Sequence, residues 1–260
     1  METLLEIFES HSGRLLNKMQ HYLEIYDEHF PPYRNRKTII IEFGIAHGGS
    51  LELWRKYFGP EALIIGVDVN PECKKFEAEN TPIYIGSQED RIFLQDLKSK
   101  IPNVDILIDD GGHTMKQQIT TFEIMFDKVK NGGLYVCEDT HTSYWKEYHG
   151  GYKKKNTFIE YSKNFVDALH GWHFKKGGQP FVNNVTKNLR CIHFYDSIVI
   201  LKKKKMEPPI NNFKGTETLS HHLTDFGQKK SFTQQFKNII KQKEGREPFF
   251  FFQYFKLSEF

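Results

Sequence analysis

Lys37-Thr-Ile-Ile-Ile-Glu-Phe-Gly44-Ile-Ala-His-Gly48-Gly49-Ser50 is the stretch on which the fold turns. Its first half is a short β-branched run ending in glycine, the pattern of a strand buried on both faces. Gly44, Gly48 and Gly49 then let the backbone pass close beneath a ligand. The loop opens a helix carrying Leu51, Leu53, Trp54 and Phe58, whose first N–H groups are free to bind. The unit recurs down the chain. Strands are expected at 62–68, 83–85, 104–109 and 134–137, with helices at 72–79, 89–100 and 115–130 between them. Such β-α alternation predicts a parallel sheet covered on both faces. A helix at 156–170 and apolar runs at 189–194 and 197–201 follow. Only Tyr195 and Asp196 separate those runs, which suits an antiparallel hairpin closing a seven-stranded α/β sheet.

Outward from this core the pattern changes twice. Residues 3–29 read as helical, with capping-box spacing at Thr3 and Glu6, an apolar face recurring at Leu15, Leu16, Met19, Tyr22, Leu23 and Tyr26, a division at Gly13 and a stop at Pro31-Pro32. Pro208-Pro209 marks a boundary after Lys202-Lys-Lys-Lys205. The expected divisions are therefore an N-terminal helical extension (1–36), the α/β domain (37–205) and a C-terminal extension (206–260). Ten of the 23 Phe fall in that last segment, which ends in Phe249-Phe-Phe-Phe252, Tyr254, Phe255 and Phe260. An aromatic run of this kind is expected to fold onto the core or to join subunits in a homo-oligomer.

Composition excludes several classes. A charged fraction of 27% and the lack of any long apolar run argue against a membrane-spanning chain. A net charge of +3 is too small to imply nucleic acid, and no nucleic-acid partner is expected. Cys73, Cys137 and Cys191 fit neither a disulfide framework nor zinc spacing, and the opening residues lack a signal-peptide pattern, so a reducing, cytoplasmic setting is expected.

Ligands of open parallel sheets bind beyond the carboxyl ends of the strands, where strand order reverses. After the first strand stands the glycine loop, and 24 residues beyond Gly44 comes Asp68, placed to accept hydrogen bonds from ribose hydroxyls. The loop lacks the G-x-G start of the dinucleotide fingerprint. The fourth strand ends in Asp109-Asp110-Gly-Gly-His113 and the fifth in Glu138-Asp139-Thr-His141. In a sheet ordered 3-2-1-4-5 these ends are neighbours. Asp110, Glu138 and Asp139 would repel one another without a hard cation between them, and oxygen ligands suit Mg²⁺. His113 would overhang that site as a general base. A single strand-end acid serves as readily to cap a helix; several beside a histidine point to a site.

Together these segments resemble class I S-adenosylmethionine-dependent methyltransferases, a Rossmann-like fold. More narrowly they resemble the metal-dependent sugar O-methyltransferases of macrolide and rhamnosyl natural products, related to the cephalosporin hydroxylase-like group. The resemblance rests on 21–30, Glu42–Trp54, 57–60, 66–68, Ile108–His113, Glu138–Asp139 through Tyr144-Trp145, and 192–197. It implies that Glu42, Gly44, Ala46, His47, Gly48 and Ser50 hold the methionine part of S-adenosylmethionine, and that Asp68 holds the ribose. Ser87, Gln88 and Asp90 would border the adenine, with Asp109 also on the cofactor side. It further implies Mg²⁺ on Asp110, Glu138 and Asp139, His113 as base, and a saccharide or small-molecule acceptor near Tyr144 and Trp145. The segment at about 140–187, which includes Tyr148, Tyr152, Trp172 and Phe181, would form a lid over that acceptor. Gly86-Ser87-Gln88 departs from the Gly-Asp-Gln frequent in relatives. Other readings stay open: methylation of a catechol-like hydroxyl, a nucleotide-dependent oxidoreductase on the same βαβ unit, a nucleic-acid methyltransferase, or a partner-binding scaffold that kept the fold.

Overall fold

A computed structural model describes residues 2–174, 182–216 and 218. The chain divides into two units, Met1–Pro209 and Ile210–Phe260. The tail aromatics from Phe226 onward, and Phe181, lie outside the described residues.

The first unit is built on seven strands: β1 (Ile39–Phe43), β2 (Leu63–Asp68), β3 (Ile83–Ile85), β4 (Val104–Asp109), β5 (Val129–Cys137), β6 (Leu189–Phe194) and β7 (Val199–Lys203). They lie in the order β3-β2-β1-β4-β5-β7-β6. The first five are parallel, and β7 runs antiparallel to both β5 and β6. The expected architecture and strand order are therefore observed, with one change at the hairpin: four residues, 195–198, link β6 to β7. Ser197 turns there at φ 64°, and Tyr195 N–H donates to Ile198 O.

Alternation along the strands explains why two layers of helix are needed. Ile40, Ile64, Ile106 and Val136 face a core shared with α2 (Gln20–His29) and α3 (Gly49–Phe58). Their neighbours Ile41, Ile65, Leu107 and Tyr135 face a second core with α4 (Arg91–Lys100), α5 (Met115–Met125) and α6 (Phe158–Leu169). Successive side chains of a strand point to opposite faces, so each β-branched run supplies both cores at once.

Three helical expectations differ from the structure. The segment 72–79 is a 3₁₀ turn, Pro71–Phe76. The helix expected to reach 130 ends at Met125, and β5 begins at Val129. Most consequential, residues 10–19 are not helical: the N-terminal part splits into Leu4–Glu9, capped by Thr3 as its spacing predicts, and α2. Gly13 packs against Glu52, whose Oε2 would stand 2.0 Å from an added Cβ. Arg14 N–H donates to the same carboxylate at 2.9 Å. The apolar residues at 15, 16 and 19 suggested a helix face, yet they line a cavity.

Trp54 on α3 is fully buried and packs its ring 5.6–6.0 Å from those of Tyr26, Phe30 and Phe58. Trp54→Ala should cost about 3–5 kcal/mol in urea unfolding. A loss under about 1 kcal/mol would contradict this packing account.

Candidate active site

A cavity of about 900 Å³ opens beyond the carboxyl ends of β1, β2, β4 and β5. That volume suits a ligand of nucleoside size together with part of a second one. The backbone ladder explains why the ends converge. Asp110 N–H donates to Phe43 O at 3.0 Å, and Glu138 N–H to Asp109 O at 2.9 Å. Gly44, at φ 85°, passes so close to the β4 loop that a Cβ would stand 2.0 Å from Asp110 O. The strand order thus reverses at β1 and β4, and the cavity lies there.

On the β1–β3 side the loop is held from within. Asp68 Oδ2 accepts from the N–H groups of Ile45 and Ala46, each at 3.0 Å, and Asp68 Oδ1 from Asn70 N–H. Glu42 is fully buried; its Oε2 accepts from Ser50 Oγ at 2.6 Å, while its Oε1 has no hydrogen-bond partner. Gly44, Ala46, His47, Ser50, Asp68, Ser87 and Gln88 all line the cavity. Gly48, at φ 77°, caps the start of α3. Glu42, Gly48, Asp90 and Asp109 do not line the cavity. Asp90 is the N-cap of α4, and Asp109 is buried, accepting from Gln88 Nε2 at 2.7 Å and from Tyr135 Oη at 3.1 Å. Burial pushes the Asp109 carboxyl up to about 7.

On the β4–β5 side three ionisable groups meet. His113 Nε2 lies 3.3 Å from Asp139 Oδ2 and 4.0 Å from Asp110 Oδ1. Asp110, His113 and Asp139 each offer a ligating atom, and these atoms lie within 4.8 Å of one another. His113 and Asp139 both sit at positive φ, 55° and 51°, a cost that non-glycine residues bear mainly at functional sites. Thr114, next in the chain, caps α5 in a capping box with Gln117, which fixes where the His113 turn ends.

Glu138 belongs to a different set. Its Oε1 accepts from Lys18 Nζ at 2.7 Å and from the Tyr26 hydroxyl. Lys18 Nζ also donates to Asp110 Oδ2 and stands 3.6 Å from Glu42 Oε1. Tyr22 Oη donates to Asp139 Oδ1 at 2.6 Å. Burial alone would lower Lys18, but the Asp110, Glu138 and Glu42 charges outweigh it and hold the ammonium well above its ordinary value. Burial pushes Asp110 and Glu138 upward in turn, while Lys18 pulls them back.

Lys18, Tyr22 and Tyr26 were not singled out in the sequence. Tyr22 and Tyr26, spaced i,i+4 on α2, read as an apolar face, although that spacing also brings two hydroxyls to one side. Trp145 lines the cavity with half its surface exposed, beside Tyr148 and His141; Tyr144 is equally exposed and does not line it.

No protein-family model matches the chain. The 8-demethyl-8-alpha-L-rhamnosyl tetracenomycin-C 2'-O-methyltransferase of Streptomyces olivaceus is 32% identical over 192 residues, covering 70% of this chain and 50% of the relative. Among solved structures, the MycE methyltransferase of the mycinamycin biosynthetic pathway, in complex with Mg and SAH, is 27% identical with a TM-score of 0.72, over 78% of this chain and 55% of that one. A second MycE crystal, with Mg, SAH and mycinamycin VI, matches at 25% identity and a TM-score of 0.71, over 92% and 59%. The fold is that of the class I methyltransferases. Its homologues are sugar O-methyltransferases, as the motif resemblance implied. The chain spans about half the length of the curated relatives it matches.

His113 provides a pH test of this methyltransferase-fold site. Burial lowers its pKa below the ordinary imidazole value, with Asp139 acting the other way. A folded-state pKa below the unfolded one means that protonation favours the unfolded chain, so stability is lost as pH falls through about 6.5. Between about pH 7.5 and 5.5, His113→Gln should lose less of its urea midpoint than the parent protein. An equal loss would remove His113 from the account.

Proposed function

We propose that the protein is an S-adenosylmethionine-dependent, Mg²⁺-dependent O-methyltransferase acting on a sugar hydroxyl of a glycan or glycosylated small molecule. One observation carries the reading: the glycine loop with Asp68 and the carboxylates with His113 line one cavity. The relatives' names and the Mg and SAH held by MycE support it.

The residues present fit both groups. Glu42, buried behind the loop and outside the cavity lining, acts on the methionine part through Ser50, whose Oγ donates to its Oε2 at 2.6 Å. Asp68, Ser87 and Gln88 border the ribose and adenine region, and Asp90 and Asp109 act there indirectly, through the α4 cap and Gln88. Hard carboxylate oxygens of Asp110, Glu138 and Asp139 are the donor set that Mg²⁺ takes. Bound there, the ion supplies Lewis-acid charge that favours ionisation of an acceptor hydroxyl. His113 receives the hydroxyl proton at Nε2, and Asp139, 3.3 Å away, stabilises the imidazolium. Neutral His113 is the competent form, and its burial favours that form. Trp145 and Tyr148 offer aromatic faces to a sugar ring, and Tyr144 extends that surface outside the cavity. Holding the acceptor oxygen in line with the methyl group supplies much of the acceleration.

The same proposal keeps the division into an N-terminal extension (1–36), a catalytic domain (37–205) with a lid at about 140–187, and a C-terminal extension (206–260). It places the protein in the cytoplasm, in keeping with three free cysteines, and as a homo-oligomer joined through the tail. Among the described residues no helix is long and apolar enough to cross a membrane.

Calorimetry with S-adenosylhomocysteine, paired with methyl transfer to a rhamnosylated acceptor, tests the reading. His113→Ala should keep cofactor affinity and lose about 10²–10⁴-fold in turnover. Chelation should abolish transfer and Mg²⁺ should restore it. Absence of S-adenosylhomocysteine binding, or full turnover in chelator, contradicts the proposal. Truncation after about residue 205 should change the oligomeric state; an unchanged, soluble form would remove the tail's role.

A further inference from the structure

Residues 10–19 form a strap pinned at two points, and its second half, 15–19, lines the cavity. At one, Arg14 holds Glu52 of α3 through its N–H and its Nε, at 2.9 and 3.0 Å. The Arg14 and Leu15 carbonyls press there on Gly49, where a Cβ would come within 2.3 Å of Leu15 O. At the other, Lys18 carries its ammonium, 2% exposed, into the carboxylates. Between and beside the pins, Leu15 is 67% and Met19 43% exposed, so apolar packing holds the strap only in part.

We propose that Lys18 is a tethered cation that competes with the divalent ion for Asp110 and Glu138, so that ion loading frees the strap from the carboxylates. The inference rests on the cation site of the preceding section. Three observations carry it. Lys18 donates to two of the three carboxylates assigned to the ion. The oxygens it takes, Asp110 Oδ2 and Glu138 Oε1, belong to two of the carboxylates assigned to the ion, so its charge sits within that donor set. The ligating atoms that cluster within 4.8 Å come from Asp110, His113 and Asp139 but not from Glu138, the carboxylate that Lys18 and Tyr26 hold.

Charge explains why the two cations exclude each other. Without the divalent ion, Glu42, Asp110 and Glu138 need a counter-charge, because buried anions without one are strongly destabilising. Lys18 supplies it from a chain segment, and therefore at fixed high local concentration. When a divalent ion enters, the ammonium meets like charge at short range and loses two acceptors. Arg14 remains on Glu52, so the strap pivots there. Residues 15–19 line the cavity beside the glycine loop, so their release enlarges the entrance on the methyl-donor side.

The test uses Mn²⁺ as the probe, read by electron paramagnetic resonance for affinity and by amide hydrogen exchange for the strap. Lys18→Gln keeps a donor and removes the charge; Lys18→Arg keeps the charge and controls for lost packing. Lys18→Gln should bind Mn²⁺ at least about ten-fold more tightly than the parent, and Lys18→Arg should not. In the parent, Mn²⁺ should speed exchange at residues 10–19, and in Lys18→Gln that exchange should be fast with or without the ion. If Mn²⁺ leaves parent exchange there unchanged or slower, Lys18 stays beside the ion and the proposal is overturned, whatever the affinities. Unchanged affinity in Lys18→Gln overturns it as well. No Mn²⁺ binding by any form removes the cation site itself, a failure distinct from the other two.

Discussion

Buried negative charge is the constraint on which the rest of this structure depends. Glu42, Glu138 and Asp110 end three adjacent strands, and the first two are almost fully buried. Such charges persist only with partners, and every partner here comes from outside the sheet. Lys18 is delivered by the strap, Tyr26 by α2 and Ser50 by α3. The N-terminal extension is therefore no appendage to the α/β unit, because it completes the electrostatics of the site.

The sheet in turn sets the distances. Parallel register carries Phe43, Asp109 and Cys137 side by side, so the residues that follow each strand arrive together. The tight crossing of Gly44 under Asp110 O places the loop of β1 against the loop of β4. Trp54 links core and site: its ring packs on Tyr26, whose hydroxyl reaches Glu138, and Lys18 Nζ lies 5.9 Å from the same indole. A core substitution there is expected to disturb the carboxylates as well as the packing.

Much of this was legible in the sequence. The β-branched runs ending in Gly44, Asp68, Asp109 and Cys137 announce a parallel sheet, because each apolar run is too short for a helix and each is followed by a helical period. The convergence of Asp110, Asp139 and His113 follows from strand order alone. Lys18 did not, because a lysine among leucines reads as the polar edge of an amphipathic helix, and only tertiary contacts reveal that residues 10–19 are not helical. Asp90 and Asp109 sit at strand and helix ends where site acids and capping acids look alike. Burial and partners distinguish them, and neither is visible in spacing.

The account's central claim is that one cavity holds a sulfonium cofactor on the β1–β2 side and a divalent ion on the β4–β5 side. A crystal structure with S-adenosylhomocysteine and Mg²⁺ tests it most directly. The account predicts the methionine part against Gly44–Ser50, the ribose at Asp68 and the adenine beside Ser87 and Gln88, with Mg²⁺ on Asp110, Glu138 and Asp139 and Lys18 withdrawn. S-adenosylhomocysteine bound elsewhere, or Mg²⁺ held by other residues, would contradict it.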